Sequence, residues 1–288
     1  MAALVLGLFA LAGCSKLKFA LGLAPWYAER AVLKELPPLN PAQKTVLDRE
    51  IQKYWAWNKR HMMPAYGATL RRLAAGLSST AATEANDLAL GSALVTGLYD
   101  ESLEPLLKPA AVLLHSFDNA QIGQLEEIFR QDQARQRETY LADPEKTFQR
   151  RVDKLRSSLD DWGAKLSPEQ AQRLEALSRG FNIPYQAWLN DKARREAELI
   201  KALRERRSEA HLQSLLHEWW LRARTGGQDR EGWQWDEDAL QKHVQGIVDL
   251  LTQAQKAQVS LKLVEMAAEL ESLAYEPQPA VRPTAAKN

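Results

Sequence analysis

Leu166-Ser167-Pro168-Glu169-Gln170 reads as the start of a helix. Ser167 suits the N-cap, where its hydroxyl accepts from a free backbone N–H of the first turn. Pro168 falls at the first helical position, where a missing N–H costs nothing. Gln170 stands three residues after the cap and can reach back to the N-cap N–H, closing a capping box. Leu166 can fold onto the first turn as a staple, and Leu174 follows four residues after the Gln. The same pattern recurs at Leu39-Asn40-Pro41-Ala42-Gln43, Phe117-Asp118-Asn119-Ala120-Gln121 and Leu251-Thr252-Gln253-Ala254-Gln255. Leu47, Leu125 and Val259 take the place of Leu174 in these copies. All four copies carry Gln, although Glu is the commoner third residue of such a box. The Leu251 copy is the weakest, because it also fits the interior of one long helix from Glu237 to Leu273.

Between these starts, apolar residues recur at three- and four-residue spacing, among Leu, Ala, Gln, Glu, Lys and Arg. That pattern and composition predict an all-α fold, with eight to ten helices in stacked hairpins. Gly and Pro are expected at the joints, including Gly76, Pro105, Pro109, Gly163 and Gly226-Gly227. Gln43 and Gln121 are 78 residues apart and Gln170 and Gln255 are 85 apart. The similar spacings suggest two related helical modules, residues 25–160 and 161–275, packed as one body. The Pro/Ala-rich tail, residues 276–288, is expected to be disordered.

Composition narrows the function. The 38 Lys and Arg balance 37 Asp and Glu to a net charge of +1. No global field is available to recruit nucleic acid, so none is expected as a partner. An apolar fraction of 45% is enough for a real core.

Cys14 is the only cysteine and closes the run Leu11-Ala12-Gly13-Cys14 after an apolar stretch from Ala2 to Ala12. That stretch is too short to span a bilayer and matches the apolar core of an export signal. The run resembles the lipobox of a bacterial lipoprotein, cut between Gly13 and Cys14. Residues 1–13 are then a signal peptide and residues 14–24 a lipidated N-terminus with a short tether. Met1-Ala2-Ala3 carries no Lys or Arg, a departure from the usual charged start, so the true start of translation can lie upstream. The expected attachment is covalent lipid (palmitate among the acyl chains) on Cys14, with no other cofactor. Two or more acyl chains anchor a protein stably. Ser15, rather than Asp, after the cysteine favours the outer membrane over the inner, with the body facing the periplasm.

Two resemblances follow from these residues. The Leu-Thr-x-x-Gln type of helix start is similar to that of the Spy and CpxP group of periplasmic proteins, some of which are ATP-independent chaperones. Over most of the chain the sequence resembles a family of uncharacterised bacterial lipoproteins. The matching stretch is Trp57-Asn58-Lys59-Arg60-His61-Met62-Met63-Pro64-Ala65-Tyr66, followed by Asp161-Trp162-Gly163, the Leu166 start and Trp188. Asn58 and Met62 depart from the His and Glu of that family. The resemblance implies a helical fold and an envelope location, and no activity.

The chain lacks the glycine-rich phosphate loops, the G-x-S-x-G turn and the H-E-x-x-H helix. Its five histidines, His61, His115, His211, His217 and His243, include no i,i+4 pair, so neither a metal site nor an enzyme is expected. His61-Met62-Met63 holds soft ligands for Cu(I), but neighbours on a helix point about 100° apart, which favours packing. Lys192 to Arg224 carries nine basic and five acidic residues, the pattern of an exposed, salt-bridged face.

Six of the nine tryptophans cluster at Trp55/Trp57, Trp219/Trp220 and Trp233/Trp235. With Met62 and Met63 these residues form the candidate partner surface, since Trp anchors many protein interfaces. The alternative for each pair is a helix wedged between two layers, burying Trp on both sides. The expected function is protein binding by a membrane-anchored periplasmic lipoprotein, chaperone-like or linked to envelope stress. The alternative is a structural scaffold of an envelope or cell-wall complex.

Overall fold

The computed structural model describes residues 32–78, 84–225 and 237–275. Cys14, the signal segment, the tether, Trp233, Trp235, the Gly226–Gly232 stretch and the tail at 276–288 lie outside the described residues. Among the described residues there are nine helices of twelve residues or more and no strand. They are α1 Pro41–Ser78, α2 Glu84–His115, α3 Asn119–Leu141, α4 Pro144–Asp161, α5 Pro168–Arg179, α6 Tyr185–Arg204, α7 Glu209–Thr225, α8 Glu237–Leu250 and α9 Gln253–Tyr275. The fold is all-α.

The capped starts place four of these helices. Asn40, Asp118, Ser167 and Thr252 each accept from the backbone N–H of the Gln three residues on, at 2.8–3.2 Å. Each Gln Oε1 accepts in turn from the cap N–H, at 2.8–3.1 Å. The single long helix from Glu237 to Leu273 is therefore not formed. The chain breaks at Leu251 and restarts at Thr252, because the Thr252–Gln255 box satisfies N–H groups that a continuous helix would have paired internally.

Proline behaves differently from the joints expected of it. Pro105 and Pro109 lie inside α2, and Gly76 lies inside α1. An interior proline loses one helical hydrogen bond. Here Leu107, Ala111, Leu113 and Leu114 bury the same stretch of α2, and that packing offsets the loss.

The long α1, about 57 Å at 1.5 Å per residue, joins two cores. Its start, at Leu39 and Leu47, packs with Ala111, Phe117, Ile122, Leu125, Leu199 and Leu212. Its second half, at Met63, Leu70 and Ala74, packs with Trp162, Leu174, Val259, Leu263 and Met266. Each core thus draws on both halves of the chain. Gly67 lets α9 lie close along α1: a Cβ there would come within 3.2 Å of the Ala267 carbonyl. Arg71 then forms a bidentate pair with Glu271 at 3.0 and 2.7 Å.

Two helices end in Schellman turns. After α4, Gly163 takes φ +83° while Ala164 N–H donates to Leu159 O and Gly163 N–H to Asp160 O. After α6, Arg206 takes φ 53°, with Arg207 N–H donating to Ala202 O and Arg206 N–H to Leu203 O. Glycine adopts that backbone at no steric cost. Arginine does not, and its side chain supplies compensation by donating to Phe117 O at 2.5 Å and to Asn119 Oδ1 at 2.6 Å.

Candidate functional site

The four capping glutamines do not act singly. Gln43 and Gln121 face each other, Nε2 donating to Oε1 at 3.1 Å in one direction and 2.8 Å in the other. Gln170 and Gln255 do the same at 2.9 and 3.1 Å. Each Nε2 has a second acceptor, the carbonyl five residues before the partner Gln. Gln43 reaches Ser116 O, Gln121 reaches Pro38 O, Gln170 reaches Leu250 O and Gln255 reaches Lys165 O, at 2.6–3.1 Å. Each pair therefore has a local two-fold symmetry. Each amide uses two donors and both acceptor positions, the full capacity of the group. A carboxylate could close the capping box but could not donate across the pair, which explains why every copy carries Gln. The pattern of four starts was readable from sequence, but the pairing was not.

The proposed partner surface divides. Met62 and Met63 are 0% and 1% exposed and belong to the interior, which removes both from the surface. Their helix packs against α9 and α2, and Met63 joins the core built with α9. Trp219 and Trp220 fit the wedged alternative. Trp219 meets Phe129 edge-on at 6.2 Å and lies under the Arg195 guanidinium at 5.6 Å. Trp220 Nε1 donates to Asp100 of α2 at 2.9 Å. Trp55 packs against the core around Met63. Trp57 is half-buried in a ladder along α1, between Tyr54 at 5.8 Å and the exposed ring of His61, also at 5.8 Å. His61 thus points away from the methionines, and no soft-ligand set forms.

A second apolar surface was missed from sequence. Leu261 and Tyr275 of α9 are 54% and 83% exposed, and Val264 is exposed as well. Ala257 and Ala268 are exposed on the same face. Spacings of four, three, four and seven residues keep the five on one stripe. The signal was available as periodicity, but α9 carries apolar residues on two faces, and only packing on α1 tells which is inside.

The Lys192–Arg224 segment is not the uniformly solvated face its sequence suggests. Arg195 and Asp191 are buried and paired at 2.9 Å, with Arg195 Nη1 also reaching Trp219 O at 3.3 Å. Lys192 bridges Asp132 of α3 at 2.6 Å and Glu196 at 2.8 Å, and Gln133 donates to Glu196 at 2.6 Å. Burial works against the Asp132 carboxylate, but Lys192 and Arg135 outweigh it and hold it below the ordinary range. Burial likewise opposes the Lys192 charge, and Asp132 and Glu196 overcome it, raising Lys192. These groups bind α3 to α6.

The last turn of α5 gathers another polar set. Arg151 of α4 donates to Ser178 O at 2.8 Å and to Phe181 O at 3.1 Å. His243 of α8 is buried and stacks on Phe181 at 4.7 Å and 10°. Arg151 Nε, Ser178 Oγ and His243 Nδ1 are buried without a hydrogen-bond partner.

Among the described residues no group of three or more His, Cys, Asp or Glu could hold a metal ion. No described helix is long and apolar enough to cross a membrane. A family of unknown function, DUF6279, matches residues 37–220. No curated protein and no solved structure matches the chain.

Proposed function

The chain belongs to the family of unknown function DUF6279, and we propose that it is a lipid-tethered helical scaffold of the bacterial envelope. Cys14 carries the lipid, the body faces the periplasm from the outer membrane, and a protein partner docks on the exposed face of α9. The observation that carries the docking is the stripe Ala257, Leu261, Val264, Ala268 and Tyr275. A contiguous exposed apolar face on a helix is a surface that a partner can cover. The burial of Met62 and Met63 favours fixed contacts over an adaptable chaperone groove, since flexible methionine surfaces serve promiscuous binding.

The test places a photo-crosslinking amino acid at Leu261 in cells. One dominant adduct supports the scaffold. A broad smear moves the function to chaperoning, and no adduct removes the α9 face as a docking site. Replacing Cys14 by Ser tests the anchor separately: the scaffold reading requires the protein to leave the membrane fraction and lose labelling by an acyl precursor.

A further inference from the structure

His243 lies where a neutral imidazole fits and a charged one does not. The Leu177 side chain of α5 seats directly on the α8 backbone at Gly246, where a Cβ would fall 2.8 Å from Leu177 Cδ1. One turn earlier the His243 ring stacks on Phe181 and hydrogen-bonds the Leu177 backbone. Its Nδ1 is buried and has no partner. The neutral ring therefore donates from Nε2 and leaves Nδ1 bare, and a second proton would create a buried N–H with no acceptor.

The neighbouring charges reinforce this. From α4 stands the Arg151 guanidinium, half-buried and held on Ser178 O and Phe181 O. From the start of α6 stands the Tyr185 phenol, which is hydrogen-bonded with Arg151. On α5, Arg179 lies over the Phe148 ring and pairs with Glu145 and Glu175. On α2, Asp100 is engaged by Trp220. On α8 itself Lys242 is exposed, and Asp249 accepts from Gln245.

We propose that His243 is a pH-operated latch: the neutral ring holds α8 on α5, and its protonation beside Arg151 of α4 releases α8. Burial first, and then Arg151, holds the His243 ring below its ordinary value of 6.5. A released α8 therefore binds the proton more readily than a docked one. Docking is at full strength above 6.5 and weakens as pH falls through that value, by up to about tenfold in the opening equilibrium per pH unit. Release uncovers Phe181 and Leu177, an apolar surface formed only under acidic conditions.

Hydrogen exchange on the full chain tests the latch, at about pH 7.5 and about pH 5.5 with intrinsic rates corrected. The expected result is a loss of protection approaching about tenfold confined to residues 237–250, with α3 unchanged. His243→Gln keeps a donor for the Leu177 carbonyl and cannot titrate, and His243→Phe keeps the stack; either should make α8 protection independent of pH. Unchanged protection of α8 in the unmodified protein overturns the latch. So does a pH-dependent loss that persists in both variants, or one spread evenly over all helices.

Discussion

The side-chain amides of Gln170 and Gln255 meet head to tail, each Nε2 donating to the other's Oε1, at 2.9 and 3.1 Å. Two helix starts 85 residues apart are thereby joined through the groups that cap them. Gln43 and Gln121 repeat the arrangement at the other pair of starts. Local capping and long-range packing use the same four side chains, so a change at one Gln acts on two helices.

Gln121→Glu is expected to preserve the capping box of α3 and break the pair. The carboxylate would face Pro38 O and Gln43 Oε1, two acceptors that now receive Nε2. Leaving Pro38 O unpaired and setting a carboxylate oxygen against Gln43 Oε1, which still accepts from Asn40 N–H, costs about 2–4 kcal/mol at neutral pH. Facing two oxygens raises the pKa of the new carboxyl above its unfolded value, so the cost shrinks as pH falls and the group regains a proton to donate. Urea unfolding at about pH 7 and about pH 4.5, referenced to the unmodified protein, checks this. A loss that is equal at both values contradicts it.

Gly163→Ala is expected to cost about 1 kcal/mol, because alanine must enter the φ +83° region that ends α4. Arg206→Gly should behave differently. It relieves φ 53° but removes the guanidinium bonds to Phe117 O and Asn119. Arg206→Ala loses the bonds and keeps the strain, so it should be less stable than Arg206→Gly. Thermal melts of the three variants rank them, and an alanine variant as stable as the glycine variant would contradict the ranking.

Arg195→Met takes one of two arginines from Asp191, whose side chain is 1% exposed, and leaves it the partly exposed Arg194 at 2.5 Å. Losing one hydrogen-bonded partner of a buried carboxylate costs about 1–3 kcal/mol. The double replacement Asp191→Leu with Arg195→Met should recover most of it, since an apolar pair of similar volume avoids desolvation altogether. Chemical denaturation of both variants decides, and equal losses for the single and double changes would show that the pair is not the source.

Features that depend on neighbours within a few residues are legible in the sequence. Asn40, Asp118, Ser167 and Thr252 are visible as N-caps because cap and Gln lie three positions apart. Gly163 is visible as a break for the same reason. Features that depend on a partner distant in sequence are not. Nothing near Gln43 specifies Gln121, and nothing near Met62 tells that α9 returns to enclose α1. Lys192, Arg195 and Glu196 carry the periodicity of a solvated face, and only Asp132 and Trp219, brought in from α3 and α7, turn that face into an interface. Trp219 and Trp220 were open between surface and wedge until α2 and α3 took opposite sides of α7.

The glutamines couple helix starts rather than cap them independently, and a double-mutant cycle on Gln170 and Gln255 measures that coupling. Unfolding free energies of Gln170→Ala, Gln255→Ala and the double variant give the coupling energy. The paired geometry predicts about 1–3 kcal/mol, with the double variant losing less than the sum of the singles. Losses that add to within about 0.5 kcal/mol would show two separate caps and rule the coupling out.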